Sequence, residues 1–262
     1  MLASLILAAA FLIIAMTFAW YVQRRTGNSG WIDATWSFAV GLSGIGLALS
    51  AGGESGAGAR QYLVAALAAI WSLRLGGYIA FRSAGAPEDP RYAWLMAEWG
   101  DNASRRLFQF LQVQAIAGLI LAGSIYVAAL APAPGLRALD WAGAALFALA
   151  WLGAALADEQ LRRFKADSAN RGKICETGLW GWSRHPNYFF EWLGWVAFPL
   201  IALSGGDLIG LAAFAAPALM YVLLVHMSGV PPLEAHMERT RGAAFDDYRA
   251  RVNVFFPGPP KP

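Results

Sequence analysis

The residues best suited to chemistry lie in the segment 158–191. Asp158, Arg162 and Lys165 recur at helical spacing and share one face. After Lys173 and Trp180 comes Arg184-His185-Pro186-Asn187-Tyr188, and Glu191 follows about one helical turn past Asn187. Pro186 interrupts the backbone just before an apolar run and frees main-chain groups to face a cavity beside Arg184, His185 and Asn187. A carboxylate at Glu191, inside that run, is expensive unless it pairs or meets a ligand. Basic residues beside a span usually serve topology, but unlike polar groups crowded around one proline, with Glu191 just within the membrane, point to a functional site. Two further positions stand out. Arg74 lies inside an apolar run, with Tyr78 one turn beyond it, and Asp33 sits near the start of another. Asp33 reads either as a helix-start carboxylate favoured by the dipole or as an acid or cofactor-orienting group.

Several chemistries are excluded. His185, His226 and His236 are the only histidines and Cys175 the only cysteine, so neither a histidine-rich diiron centre nor a cysteine metal cluster can be built, and no metal is expected. No G-x-G-x-x-G or G-x-x-x-x-G-K-[ST] pattern is present, so any nucleotide would be held by the membrane domain itself.

The elements that must position these residues are spans. The apolar fraction is 58% against 14% charged, too little charge to coat a soluble globule of 262 residues. Seven stretches are long enough, or nearly so, to cross the bilayer: about 2–22, 31–50, 62–81, 107–131, 139–157, 189–203 and 208–225. The sixth is the shortest, and Ser204-Gly205-Gly206-Asp207 turns it into the seventh. Backbone in lipid must bond internally, so the expected fold is all-α. The first stretch lacks a basic leader and runs into Arg24 and Arg25 rather than a cleavage site, so it is expected to be a retained helix. With the loops after spans one, three, five and seven on one side, 17 of the 20 basic residues fall there and two opposite. That asymmetry puts the amino terminus outside and the carboxyl terminus in the cytoplasm. The +3 net charge therefore reflects topology and implies no nucleic-acid partner. One integral membrane domain, 1–262, is expected, with the polar segment 158–191 and a tail 226–262 facing the cytoplasm, in a bacterial inner membrane.

The run 178–191 resembles the carboxyl-terminal signature of the membrane steroid 5α-reductase superfamily, particularly its bacterial branch. Trp31-Ile32-Asp33-Ala34-Thr35-Trp36, Arg74-Leu75-Gly76-Gly77-Tyr78 and Pro87-Glu88-Asp89-Pro90-Arg91-Tyr92 are similar to patterns of that branch. The resemblance implies a seven-helix domain holding NADPH in a cytoplasm-facing cavity that a lipophilic substrate enters from the bilayer. Carried over by motif, Asp158, Lys165, Lys173, Trp180, Arg184, His185, Asn187, Tyr188 and Glu191 would contact the cofactor, as would Arg74 and the loop residues Asp89, Arg91 and Tyr92. The tail 234–248 resembles the family's closing segment, so Glu234, His236 and Tyr248 are also cofactor-contact candidates. The implied reaction is hydride transfer to an electron-poor C=C, with an acid stabilising the enolate. The steroid reductases share a Gln-Glu pair on the second span and a tyrosine on the third. This chain has Asp33 in the second span and Trp71 near the tyrosine position, leaving Asp33 and Tyr78 as candidate catalytic groups. Isoprenylcysteine and phospholipid methyltransferases carry a similar Arg-His-Pro-x-Tyr, so an S-adenosylmethionine-dependent methyltransferase using Arg184, His185 and Glu234 is the alternative. A lipid-binding protein without catalysis is the third reading. The sequence is silent on oligomeric state.

Overall fold

The computed structural model describes residues 2–53, 56–130, 135–203 and 208–261. The turn expected at 204–207 lies outside them. Among the described residues every regular element is helical, and the one β contact is an isolated bridge between Ser183 and Asn253. The α-helices are α1 (Leu2–Thr26), α2 (Gly30–Ser50), α3 (Ala59–Ser83), α4 (Pro90–Trp99), α5 (Ala103–Leu130), α6 (Ala138–Ala166), α7 (Pro186–Ala202), α8 (Ala215–Tyr221), α9 (Val230–Arg241) and α10 (Ala243–Arg251).

Six helical runs are long and apolar enough to cross a membrane: α1, α2, α3, the run Arg91–Leu130 through α4 and α5, α6, and the run Leu208–Arg241. The protein is therefore an integral membrane protein of the all-helical class. The stretch expected as the sixth span is α7, whose 17 residues reach about 25 Å, short of a hydrocarbon core of about 30 Å. The last apolar stretch is not a uniform α-helix. It passes from a 3-10 segment, Leu208–Phe214, through α8 into a π-helix, Val222–Met227. Just past the π turn, position 229 takes glycine because a Cβ there would come within 2.3 Å of the Leu224 carbonyl oxygen.

The chain divides into two compact units, 1–141 with 198–216, and 142–197 with 217–262. In the first, α2 packs against α1, α3 and α5. Small residues permit this close approach, as helix pairs in lipid require. A Cβ on Gly41 would lie 2.2 Å from Ser72 Cβ, and Ser72 Oγ donates to the Ser37 carbonyl at 3.1 Å. Gly118 of α5 lies under Val40, and Gly76 of α3 lies under the ring of Phe38. At the far end of α3, Arg60 and Asp140 form a buried ion pair at 2.6 Å.

In the second unit α6 meets α7 where Gly153 makes room for the ring of Phe190. The loop after α6 then folds back on its own helix. Trp180 Nε1 donates to the Ala157 carbonyl at 3.0 Å, and Leu179 N to Gln160 Oε1 at 3.0 Å. Gly178, with φ of +61°, lies directly against the Gln160 side chain. The carboxyl-terminal tail is stitched to this loop by Arg184 N to the Asn253 carbonyl (2.8 Å), Ser183 Oγ to the Phe255 carbonyl (2.9 Å) and Gly258 N to the Trp182 carbonyl (3.1 Å).

Candidate functional site

The sequence-derived candidates form one group in each unit. In the first unit the loop between α3 and α4 is fastened to the start of α2. Asn28 Nδ2 donates to the carbonyls of Ser83 (3.0 Å) and Ala86 (3.2 Å), while Asn28 Oδ1 accepts from Gly30 N at 2.9 Å. Glu88 Oε1 accepts from Ser29 N at 2.9 Å and from Asp89 N at 2.8 Å. The donors opening α2 are thus met by Asn28 and Glu88, where a negative group also suits the helix dipole.

Asp33 is left for other work. Its carboxylate accepts from Arg91 at 2.7 Å and from the Tyr92 hydroxyl at 2.9 Å. Arg91 also donates to both oxygens of Asp89, at 3.1 and 2.9 Å, and Asp89 caps α4 by accepting from Arg91 N. Burial acts to raise the Asp89 carboxyl, but the bond to Arg91, its charge and that of Arg82 outweigh it and hold the group below its ordinary range. Behind Tyr92, Gln114 Nε2 approaches the hydroxyl at 3.4 Å. Gln114 Oε1 is buried and has no hydrogen-bond partner among the described residues. Trp36 Nε1 donates to the Gln114 carbonyl at 2.9 Å, tying α2 to α5 beneath this network.

Arg74 is partly buried on α3. Tyr78, one turn on, is exposed, with the Arg82 guanidinium 5.8 Å from its ring centroid. Trp71 is buried and meets Trp36 edge-on at 6.3 Å.

The second unit holds two linked clusters. Asn187 Nδ2 donates to Asp158 Oδ1 at 3.1 Å, and Asn187 Oδ1 accepts from Tyr188 N at the opening of α7. His185 stacks on Tyr188 with centroids 5.5 Å apart. Its Nε2 lies 3.0 Å from Glu234 Oε1, and Arg184 grips both oxygens of the same carboxylate at 2.8 and 3.1 Å. The third nitrogen of the Arg184 fork donates to the carbonyls of Arg249 (3.2 Å) and Val252 (2.6 Å), where α10 ends. Arg184, His185 and Glu191 are buried; Lys165, Lys173 and His236 are exposed. Tyr248 is buried and donates to the Trp180 carbonyl at 2.7 Å. Burial pushes that hydroxyl above the usual tyrosine range, and Cys175 and Glu176 add to the effect.

Asp33, Asp89, Arg91 and Tyr92 are therefore brought together, as are Asp158, Asn187 and Tyr188, and Arg184, His185 and Glu234. Trp180 and Tyr248 join each other and spend their polar atoms on the loop and tail. No group of three or more His, Cys, Asp or Glu able to hold a metal occurs among the described residues.

The sequence from 19 to 252 matches the family described as "Protein of unknown function (DUF1295)". The chain belongs to the DUF1295 family. That family includes steroid 5α-reductase-like membrane proteins. A relative by sequence is the uncharacterized protein C594.04c of Schizosaccharomyces pombe, 28% identical over 269 aligned positions that cover 91% of this chain and 75% of the yeast protein. No solved structure matches the chain.

Three groups in these clusters were not singled out from the sequence. Glu88 stood in the Pro-Glu-Asp-Pro-Arg-Tyr motif, but its partner Ser29 is 59 residues away. Asn28 lies between two spans, where a short polar residue reads only as a turn. Gln114 carried a usable signal, being an uncharged polar side chain in the middle of an apolar span.

Proposed function

We propose that this protein is an NADPH-dependent membrane reductase that adds hydride to an activated C=C of a lipophilic substrate, sterol-like, isoprenoid or fatty in character. The observation carrying this reading is the network that joins Asp33 at the start of α2 and Arg91 and Tyr92 at the start of α4 to Gln114 in the middle of α5. Ionisable groups in such positions are costly and commonly mark a functional site. The orphaned Gln114 Oε1 adds a buried acceptor that a ligand donor would satisfy. Membership of a family that includes steroid 5α-reductase-like proteins supports the same chemistry.

The second unit's residues fit a dinucleotide. Lys165 and Lys173 are exposed cations for phosphate, Asp158 and Asn187 are hydrogen-bonding groups for ribose or amide, and Tyr188 with His185 offers a stacked face. Arg184 is engaged with Glu234 and two carbonyls, so its role here is to hold α9 and the tail to the loop before α7. NADPH, when bound, supplies the hydride. The proton for the neighbouring carbon is assigned to the Tyr92 hydroxyl, with Asp33 and Arg91 as positioning groups. Tyr78, exposed and covered on one face by Arg82, is the second candidate donor. The reading includes a seven-span topology with the amino terminus outside and the cofactor segment cytoplasmic, in which α7 is a short crossing.

Thermal shift of the detergent-purified protein tests the proposal. NADPH should stabilise it and S-adenosylmethionine should not, and α,β-unsaturated lipids should drive NADPH oxidation. Tyr92→Phe should keep the NADPH shift and lose turnover. Stabilisation by S-adenosylmethionine alone would redirect the assignment to methyl transfer, and silence toward both ligands would reject a cofactor enzyme.

A further inference from the structure

The carboxyl-terminal end of α1 carries a feature that the reductase reading does not use. Leu7, Phe11, Ile14, Phe18, Tyr21 and Arg25 follow one another at spacings of four and three residues, so they form one stripe along the helix. All six are exposed, which for the apolar members means a face turned to lipid. From Phe11 to Tyr21 the stripe rises about 15 Å, half of a hydrocarbon core of about 30 Å and the reach of one acyl chain.

The stripe ends in a depression of about 310 Å³ lined by Tyr21, Arg24 and Arg25. Both guanidiniums are held over aromatic rings, Arg25 at 5.1 Å from the Tyr21 centroid and Arg24 at 4.8 Å from that of Trp20. Trp20 in turn fixes the neighbouring helix. Its Nε1 donates to the Ser104 carbonyl at 3.0 Å and its ring meets Phe108 edge-on at 5.5 Å. That anchor sets the start of α5, with exposed Arg105 and Arg106, beside the end of α1. No carboxylate pairs with these four arginines among the described residues.

We infer that the end of α1 is a binding site for an anionic phospholipid, its phosphate held by Arg24 and Arg25 and an acyl chain lying along Phe11, Ile14 and Phe18. The occupant is chosen by charge complementarity at one end and by the length of the apolar stripe behind it. A soluble phosphate would use the arginines but not the stripe, and a zwitterionic lipid would use the stripe without gaining from the unpaired charge. The site stands apart from the reductase reading.

The test uses the full chain, delipidated in mild detergent, titrated with dioleoyl phosphatidylglycerol, dioleoyl phosphatidylcholine or inorganic phosphate and followed by native mass spectrometry. Each basic residue near an anionic headgroup is worth roughly fivefold in affinity. Phosphatidylglycerol should therefore bind the wild type at least about fivefold more tightly than phosphatidylcholine. Arg24→Gln/Arg25→Gln should bring the two lipids within about twofold, and inorganic phosphate at the same concentration as the lipid should not displace it, because phosphate lacks the contact with the stripe. In the wild type, high salt should shrink the preference, a measurement that does not depend on the variant folding. Equal affinities for the two lipids, a preference that survives the double substitution or high salt, displacement of the lipid by inorganic phosphate at equal concentration, or a lipid-free dimer sealed through α1 would each overturn the assignment.

Discussion

Removing the Asp33 carboxylate gives the sharpest test of whether the first unit's network is a coupled device. Asp33 accepts two bonds, one from Arg91 at 2.7 Å and one from Tyr92 at 2.9 Å. Arg91 keeps Asp89 as a partner after Asp33→Ala, so its charge is not stranded. The Tyr92 hydroxyl fares worse. The ring is 4% exposed and the remaining contact, to Gln114, is long at 3.4 Å. Leaving such a donor without an acceptor costs about 1–3 kcal/mol, and loss of the charged bond to Arg91 adds about 1 kcal/mol, giving about 2–4 kcal/mol for Asp33→Ala. Tyr92→Phe alone should cost about 1–2 kcal/mol. Once Asp33 is gone, removing the orphaned hydroxyl should cost almost nothing, so the double-mutant cycle should show about 1–2 kcal/mol of coupling. Equilibrium unfolding in mixed micelles reads all four proteins. Additivity within about 0.3 kcal/mol would mean that the two side chains do not act together, and the positioning role given to Asp33 would fall.

Lys165→Ala and Lys173→Ala should each weaken NADPH binding by roughly tenfold with unchanged unfolding, whereas Arg184→Ala should destabilise by about 2 kcal/mol because it leaves the partly buried Glu234 with His185 alone; calorimetry and denaturation separate the two behaviours. The Asp89 carboxyl is held below its ordinary value of 3.8, so its contribution to stability should be complete above that pH and vanish as pH falls through the lowered native value. Wild type and Asp89→Asn should accordingly differ by a constant amount at neutral pH and converge in acid. Gly41→Leu, which drives a side chain into Ser72, should cost about 1–3 kcal/mol or more and lower the thermal midpoint in micelles, while the same change at open Gly46 should not.

Composition and the length of the apolar runs made the helical membrane class legible, because an uninterrupted apolar run of about twenty residues satisfies its backbone in lipid as a helix, whereas barrel strands are shorter and alternate. The first three spans, expected at 2–22, 31–50 and 62–81, lie within Leu2–Thr26, Gly30–Ser50 and Ala59–Ser83. The helices overrun the apolar stretches because hydrogen bonding continues into the interface after hydropathy drops. The stretch 208–225 shows the limit of that reasoning. Its apolar content is uniform, yet its winding changes twice, and hydropathy does not report winding. The site divides similarly. Clustered motifs flagged Asp33, Asp89, Arg91 and Tyr92, but not that Asp33 would leave helix capping to Asn28 and Glu88 and turn to Arg91. Arg184 shows the converse. Beside a span it reads as a cation for a ligand, while its five-donor fork is met by a carboxylate and two carbonyls drawn from 50 to 68 residues away.

The tail that stitches residues 253–258 onto Ser183, Arg184 and Trp182 has a consequence for biosynthesis. During translation the loop preceding α7 is made early, but the partners for its peptide groups emerge from the ribosome some seventy residues later. At 5–20 residues per second that is a delay of roughly 4–14 seconds, during which the segment meets only water, headgroups or a chaperone. The bonded form of that loop would accordingly be acquired only after residue 258 has been made, rather than built up helix by helix as the membrane part inserts.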